Sequence, residues 1–249
     1  MGTTTTMRTG NCPKHGEYQV RVTYSPITDK YYSSGCPKCE KIDAEEERKQ
    51  QEKLKKEQEA KAALRQLVVR GIPKRYHTTS LQDYVARTED QRRVLQIITD
   101  YVDKQHEVSE AGRSLLLYGN VGTGKTRLAT SIVKEWSGVG HYITAREYTR
   151  LVRSTYSSAA KETEDDIVKR FLGYSILVID EIGKQFSTDS ERYAIFDIIN
   201  ARYNEEKPTV LVSNMNIAEI TDFLGEATVD RIKERGGKAV LFNWESYRR

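Results

Sequence analysis

The sequence predicts an α/β fold with a central parallel sheet, preceded by a small metal-binding module and a charged helix. Three apolar runs predict buried strands, and each run ends in residues that suit a phosphate site. The runs and the residues that follow them are 115–118 before Gly119–Thr126, 174–179 before Asp180-Glu181, and 209–213 before Asn214. A chain of 249 residues is long enough for one such domain with a smaller appendage.

The first run leads into the pattern G-x-x-x-x-G-K-T, and the residues after it have the apolar spacing of a helix. Glycines in this pattern let backbone N–H groups surround phosphates, Lys125 reaches the β- and γ-phosphate oxygens, and the Thr126 hydroxyl joins a Mg²⁺ shell. The following helix adds the positive end of its dipole. This combination predicts a nucleotide-binding loop, whose members are Gly119, Asn120, Val121, Gly122, Thr123, Gly124, Lys125 and Thr126.

The acidic pair Asp180-Glu181 complements this loop. We expect Asp180 to hold Mg²⁺ through water and Glu181 to polarise the attacking water. Asn214 can hydrogen-bond both that water and the γ-phosphate, although an ordinary turn residue would give the same pattern. Residues 180–183 also fit the D-x-x-G pattern of GTPases, but the chain contains no N-K-x-D guanine-recognition motif, which disfavours a GTPase.

A second candidate site lies near the start of the chain. It has the spacing C-x₂-H, then twenty residues, then C-x₂-C, and it contains all three cysteines of the chain. Three sulfurs and one imidazole make the closed tetrahedral set that structural Zn²⁺ occupies. The alternative is ordinary reduced cysteines near a surface histidine. The predicted zinc ligands are Cys12, His15, Cys36 and Cys39.

Residues 41–70 form a predicted charged helix, in which acidic and basic side chains alternate without glycine or proline. The pairs Glu45–Lys49, Glu52–Lys56 and Glu57–Lys61 stand four residues apart in the favourable order. The helix is either a solvated spacer or a partner-binding element. Gly71-Ile72-Pro73 ends it, and a further amphipathic helix is expected over 90–108. The predicted divisions are a module over 1–40, a helical arm over 41–70 and a nucleotide-binding domain over 71–249.

The residues after a predicted strand at 141–144 form a helix in which basic and aromatic side chains alternate. Grooves for single-stranded nucleic acid use positive charge for phosphates and rings for bases. Tyr148 and Val152 stand four residues apart, however, and this spacing equally suits a stripe that faces the core. The candidate nucleic-acid residues are Arg146, Tyr148, Arg150, Arg153 and Tyr156.

Composition restricts the class of protein. A net charge of +4 permits nucleic-acid binding without demonstrating it. No apolar run approaches the roughly 20 residues that cross a bilayer, and the first residues lack the apolar segment of a secretory signal. We therefore expect a cytoplasmic protein with no membrane partner.

Several stretches together resemble the DnaC-type replicative helicase loaders. All of them lie within residues 71–249, and the closing stretch is the most specific. They are Gly71–Tyr76, Leu177–Gly183, Ser213–Met215, Leu224–Glu226 with Asp230–Ile232, and Phe242–Arg248.

This resemblance implies an AAA+ P-loop ATPase, which uses ATP and Mg²⁺ and self-associates through its ATPase domain. The chain departs from the family in offering little material for a lid after Tyr247, so we expect a reduced lid. The resemblance also implies binding to single-stranded DNA and delivery of a DnaB-type replicative helicase during replication initiation. By the same resemblance, 119–126 is the Walker A loop, Asp180 and Glu181 are the Walker B pair, and Asn214 is sensor 1. Arg231 is the arginine-finger candidate, because Ala227 stands where such loaders often carry an arginine. A salt-bridge role for Arg231 is the alternative.

The zinc module resembles the front ends of some phage and prophage relatives, and in the family the N-terminal part contacts the helicase. Two other functions share parts of this pattern. An IstB-like transposition helper ATPase has the same core, but acts with a transposase on duplex DNA. An ATP-gated switch with negligible turnover is the third possibility, which the intact Lys125, Asp180 and Glu181 disfavour.

Overall fold

The computed structural model describes residues 4–183 and 189–247 of the chain. The chain divides into two units, residues 1–63 and 64–249, and each unit has its own sheet. Within the described ranges, no helix is long and apolar enough to span a membrane.

The first unit contains a three-stranded antiparallel sheet in the order β1-β2-β3. The strands are β1 (Thr4–Cys12), β2 (Gly16–Ser25) and β3 (Lys30–Ser33). Cys12 pairs with Gly16 across the first turn, so the C-x₂-H pair lies at the end of this hairpin. Few apolar side chains support the sheet: the buried ones among residues 5–63 are Cys12, Val20 and Cys36.

Helix α1 (Pro37–Val69) follows the sheet and buries none of its residues. It begins at Pro37 rather than at the predicted Lys41, so Cys39 lies in its first turn. Of the three pairs predicted from spacing, two form ion pairs in the structure, with Nζ–Oε1 distances of 2.9 Å for Lys49–Glu45 and 2.7 Å for Lys56–Glu52, whereas Glu57–Lys61 does not. Because these pairs are solvent-exposed, each stabilises the helix only weakly.

The second unit is built on a five-stranded sheet in the order β5-β6-β7-β4-β8, and every pair of neighbours is parallel. The strands are β4 (Leu115–Gly119), β5 (Gly140–Thr144), β6 (Ile176–Ile182), β7 (Thr209–Ser213) and β8 (Lys238–Phe242). All three apolar runs of the sequence are therefore adjacent strands, β6, β7 and β4. Their carboxyl ends bring the loop 119–126, Asp180-Glu181 and Asn214 to one edge of the sheet.

Helices cover both faces of this sheet. Alternate strand residues point to opposite faces: Leu115 and Leu117 join one apolar cluster, whereas Leu116 joins the other. The helices are α2 (Glu89–Asp103), α3 (Gln105–Glu110), α4 (Lys125–Glu135), α5 (Ala145–Ser154), α6 (Glu164–Leu172), α7 (Asp189–Asn204), α8 (Ile217–Leu224) and α9 (Glu226–Lys233). The first cluster includes side chains of α2, α3 and α4, and the second includes side chains of α5–α9.

The prediction of a single helix over 90–108 is wrong in one respect. The backbone leaves the helical region at Lys104, with φ −95° and ψ 25°, so the segment forms α2 and a short α3. Both helices still bury an apolar face, because Val94, Ile98 and Val108 belong to the same buried cluster.

A buried arginine lies at the amino-terminal edge of the second unit's sheet. Arg202 of α7 is completely buried, and it donates hydrogen bonds to the carbonyls of Phe171 (2.6 Å), Tyr174 (3.0 Å) and Pro208 (2.8 Å) and to the Thr209 hydroxyl (2.9 Å). All of these acceptors are neutral, so burial lowers the pKa of Arg202 to about 9. This guanidinium joins the end of α6 to the starts of β6 and β7.

Candidate nucleotide-binding site and metal centre

The loop after β4 has the backbone shape that the glycine pattern predicts. Gly119 and Gly122 have φ values of +116° and +77°, which side-chain-bearing residues rarely adopt. A Cβ on Gly119 would also lie 2.5 Å from the Phe242 carbonyl oxygen of β8, so this position has no room for a side chain. Helix α4 then begins at Lys125. Strand, loop and helix therefore follow each other as a phosphate-binding loop requires.

Lys125 is held inside this loop. Its side chain is only 5% exposed, and its ammonium donates to the carbonyls of Gly119 (2.9 Å) and Asn120 (2.5 Å). The Thr123 hydroxyl accepts a longer bond of 3.4 Å from the same nitrogen. Because a buried ammonium needs acceptors, these oxygens keep the charge at the loop. An anionic ligand there would find the ammonium already in position.

Asp180 lies at the end of β6 and is 2% exposed. Its Oδ2 accepts a hydrogen bond of 2.8 Å from the Tyr142 hydroxyl, and its Oδ1 accepts one of 2.7 Å from the Glu181 N–H. Burial and the neighbouring carboxylate raise the pKa of Tyr142, so its hydroxyl remains a donor. These two bonds fix the orientation of the Asp180 carboxylate.

Glu181 has an unusual backbone. Its φ is +60°, and the pairing of β6 with β7 is irregular between Ile179 and Ile182. A non-glycine residue in the left-handed region carries strain that is common at functional sites. The irregular pairing leaves the Glu181 side chain exposed at the strand end, next to the buried Asp180.

These residues line one cavity of about 390 Å³ in the second unit. It brings the phosphate loop, both carboxylates and Asn214 together, as the sequence predicts. Gly119 and Asn120 lie at the base of the loop and do not line the cavity. The predicted residues in the lining are Val121, Gly122, Thr123, Gly124, Lys125, Thr126, Asp180, Glu181 and Asn214.

Further residues of the lining were not predicted. Three arginines accompany Lys125, so cationic side chains outnumber the two carboxylates, as a polyphosphate site requires. Arg75 and Tyr247 lie in stretches that carried the family resemblance but had no role assigned. The additional lining residues are Arg75, Tyr76, Tyr84, Val85, Arg87, Arg127 and Tyr247.

Comparison with known proteins agrees with this geometry. The family described as IstB-like ATP binding protein matches residues 44–249. The chain belongs to this family. Its relatives include the replicative helicase loader DnaC of Escherichia coli (strain K12), which is 30% identical over 181 residues, 72% of each chain. The replicative helicase loader DnaC of Buchnera aphidicola subsp. Schizaphis graminum (strain Sg) is 28% identical over 214 residues, 82% of this chain and 83% of the relative.

A solved structure, the crystal structure of the DnaC helicase loader, matches with a TM-score of 0.60 and 25% identity, covering 69% of this chain and all 100% of that one. The predicted AAA+ P-loop fold is therefore confirmed, as is the resemblance to DnaC-type loaders. The chain is thus an AAA+ protein of an ATP-binding family, and nucleotide and Mg²⁺ use follow from that membership.

Arg231 is not brought into this cavity. It lies on α9, where its guanidinium donates to the Asn200 side chain and stands 5.1 Å from the centre of the Tyr203 ring. Both partners belong to α7 of the same chain. In this IstB-like domain Arg231 therefore makes an internal contact, and a role in a neighbouring subunit's site stays a prediction.

The candidate nucleic-acid helix is α5, and its residues fall into three groups. Tyr148 is 1% exposed and packs edge-on against Phe171, so the expectation that it stacks on a base is wrong. Its spacing with Val152 marks the core face of the helix. Arg153 forms an ion pair with Glu191. Arg146 and Arg150 are exposed, as is Tyr156, which is 61% exposed just beyond the helix.

The four predicted metal ligands meet in the first unit, before residue 44 where the IstB-like match begins. Their donor atoms all lie within 4.8 Å of one another. The His15 Nδ1 is 3.7 Å from Cys12 Sγ, 3.6 Å from Cys36 Sγ and 3.3 Å from Cys39 Sγ, and Cys12 Sγ is 3.6 Å from Cys39 Sγ. Tetrahedral Zn²⁺ with ordinary bond lengths separates its ligands by about 3.6–3.8 Å.

The thiols of this cluster influence one another. A main-chain hydrogen bond from Lys14 is the main cause that lowers the pKa of Cys12 to about 6, while the hydrogen bond with Cys12 raises the pKa of Cys39 to about 11. Since Zn²⁺ binds thiolates, the lowered pKa of Cys12 favours metal binding. The donor set and its spacing fit a structural zinc ion.

Proposed function

We propose that this protein is an ATP-dependent loader of a DnaB-type replicative helicase, acting when DNA replication is initiated. One observation carries the proposal: the phosphate loop, the acidic pair and Asn214 line a single cavity in a chain whose relatives are named replicative helicase loaders. We further propose the division into a zinc module (1–40), a partner-binding arm (41–70) and an AAA+ ATPase domain (71–249).

The residues of the cavity suit the hydrolysis of ATP to ADP and phosphate. Lys125 and the loop N–H groups hold the β- and γ-phosphates, and Asn214 orients the attacking water. The Glu181 carboxylate accepts a proton from that water as its oxygen bonds to the γ-phosphorus and the bond to the bridging oxygen breaks. Thr126 and Asp180 offer oxygen ligands to Mg²⁺, which supplies charge neutralisation at the phosphates when bound.

The module before residue 41 is the part we assign to the helicase. Cys12, His15, Cys36 and Cys39 hold Zn²⁺ with no open coordination position, so the metal has a structural role. Single-stranded DNA is assigned to the exposed side of α5, through Arg146 and Arg150. Self-association through the ATPase domain would bring Arg231 to a neighbouring cavity, after it exchanges its contacts with Asn200 and Tyr203 for phosphate oxygens.

The test is capture of the purified replicative helicase by the full-length protein with ATP present. We expect the wild-type chain to capture it, and a variant with Cys36→Ser and Cys39→Ser to lose capture while still binding ATP. Lys125→Ala, which removes the ammonium from the phosphate loop, is expected to lose ATP binding. Capture that survives loss of the zinc ligands would move the contact out of the module.

A second candidate function is an IstB-like transposition helper, which the description of the matching family favours. It differs in its DNA and in its protein partner. No capture of the helicase, together with ATP-dependent binding to duplex DNA and to a transposase, would replace the loader proposal with this one.

A further inference from the structure

The residues after β8 lie directly on the phosphate loop. Two groups of this segment donate to loop carbonyls: the Tyr247 main-chain N–H to Gly122 (2.9 Å) and the Trp244 indole N–H to Thr123 (3.2 Å). The Asn120 side chain donates back to the Trp244 carbonyl at 3.3 Å. The stretch that most specifically carried the family resemblance therefore contacts the loop, although it contains none of the predicted site residues.

Tyr84 contacts the same part of the loop from a different point in the chain. Its hydroxyl donates to the Thr123 carbonyl at 3.1 Å, so that oxygen accepts two side-chain hydrogen bonds. The Tyr247 hydroxyl approaches the Tyr84 hydroxyl at 3.3 Å and donates to the Val85 carbonyl at 3.1 Å. We call the three donors to the loop, namely the Tyr84 hydroxyl, the Trp244 indole N–H and the Tyr247 main-chain N–H, the loop clamp.

The clamp fixes the orientation of two peptide groups, those that join Gly122 to Thr123 and Thr123 to Gly124. In a trans peptide the carbonyl and the next N–H point in opposite directions, and the described part of the chain has no cis peptide bond. Donors that hold the carbonyls of Gly122 and Thr123 therefore also hold the N–H groups of Thr123 and Gly124 on the opposite side. These are N–H groups of the kind that contact phosphate oxygens in such loops.

We propose that the loop clamp presets these peptide groups for phosphate binding, which makes Tyr84 and Trp244 positioning residues of the nucleotide site. The inference rests on the proposed function, because it needs a nucleotide in this cavity. When the loop is already ordered, less of the binding free energy is lost to ordering it as the ligand binds. Thr123 is completely buried, so a variant without both side-chain donors would leave its carbonyl oxygen unsatisfied.

Gly122 supports this inference independently. The G-x-x-x-x-G-K-T pattern requires Gly119 and Gly124 and leaves position 122 open. A Cβ on Gly122 would lie 2.0 Å from Ser246 Oγ and 2.9 Å from Ser246 Cβ, so the glycine is what lets the closing segment reach the loop. Its φ of +77° adds a second reason for glycine there.

The experiment measures ADP affinity by calorimetry for the full chain with Tyr84→Phe, Trp244→Phe and the double substitution. Each change removes one donor and keeps an aromatic ring. We expect a few-fold weaker binding for each single variant and about tenfold or more for the double variant, in line with about 1 kcal/mol per hydrogen bond. The midpoint of thermal unfolding without nucleotide is measured in parallel.

A matched control is available in the same unit. Tyr101 donates to the Arg113 carbonyl at 2.7 Å and packs against Trp136, and neither residue lines the cavity. The double change Tyr101→Phe with Trp136→Phe removes the same groups elsewhere, so it tests a merely structural effect. We expect its ADP affinity to stay within twofold of wild type.

A spectroscopic readout covers the case in which the double clamp variant does not fold. Trp136 and Trp244 are the two tryptophans of the chain, so Trp136→Phe leaves Trp244 as the single reporter. ADP should shift the Trp244 emission in this variant, and the single Tyr84→Phe change should alter that shift. An ADP affinity equal to that of the wild type in the folded clamp variants would overturn the clamp. A Trp244 emission that does not change when ADP binds would also overturn it. Absence of nucleotide binding by the wild-type chain would instead overturn the proposed function itself.

Discussion

The two units of this chain are stabilised in different ways. In the first unit, β3 is exposed along its whole length, and the buried apolar side chains among residues 5–63 number only three, two of them cysteines predicted to bind the metal. In the second, apolar clusters fill the space on both faces of a five-stranded sheet. A small sheet with so little buried apolar surface is marginal in water, whereas a domain of the second kind folds by hydrophobic burial. Metal coordination is therefore what we expect to hold the first unit together.

Metal removal tests this difference most strongly. We expect a high-affinity chelator to unfold the module of the full-length protein, because structural zinc contributes roughly 10 kcal/mol or more of folding free energy to such small sites. Hydrogen exchange would then become fast for amides of β1 and β2 and stay slow for β4 and β6. The measurement is hydrogen exchange by mass spectrometry, with metal content determined in each sample.

Two controls accompany it. Adding Zn²⁺ back should restore protection in β1 and β2, and Cys36→Ser should reproduce the chelated state without a chelator. Slow exchange in β1 and β2 of verified metal-free protein would show that the module folds without the ion, and the contrast between the two units would disappear.

Arg202 provides a test of the second unit. It is a buried charged side chain in a unit whose buried side chains are mostly apolar. Arg202→Met leaves the carbonyls of Phe171, Tyr174 and Pro208 without this donor, and we expect a loss of about 3 kcal/mol in the free energy of unfolding. In denaturant unfolding, the transition of the second unit should shift to lower denaturant concentration. The transition of the first unit, which we expect to depend on the metal, should be unchanged.

Arg170→Met is the matched comparison for Arg202. Arg170 pairs with Glu162 at 3.2 Å on the surface of α6, and both side chains are exposed. Exposed pairs contribute little, so the expected loss is below about 0.5 kcal/mol. Equal losses for the two variants would mean that the buried hydrogen bonds of Arg202 contribute no more than a surface ion pair.

The sequence predicted much of both units, for identifiable reasons. The phosphate loop, the acidic pair and the Cys/His set follow fixed local spacings, and the strands that lead into the loop and the acidic pair are strongly apolar. The failures concern orientation and long-range contacts. The pattern of α5 could not say whether Tyr148 faces the core, and nothing near Lys104 in the sequence indicates that the helix breaks there.

Other contacts join residues far apart in the chain, so no local pattern contains them. Tyr142 meets Asp180 because β5 and β6 are neighbours in the sheet. Trp244 reaches Thr123 because β8 and β4 are neighbours in the same sheet, whereas Tyr84 reaches it from the segment before α2. A long-range hydrogen bond depends on strand order, which local spacing does not specify.

The units also differ in where they carry exposed basic side chains that could contact single-stranded DNA. Substituting those of α5 is expected to have the smallest effect of the changes proposed. Arg146→Ala with Arg150→Ala should weaken binding by the full-length chain a few-fold and make the negative slope of log K against log salt shallower by about 0.7 for each lost phosphate contact. Binding would be measured by fluorescence anisotropy over a range of salt concentrations. Arg153→Ala is the control: Glu191 already neutralises this arginine, so its loss should change the slope less. An unchanged slope in the double variant would remove α5 as the DNA site and direct attention to the basic and aromatic residues of β1–β3, where Arg8, Arg21, Tyr31 and Tyr32 are exposed.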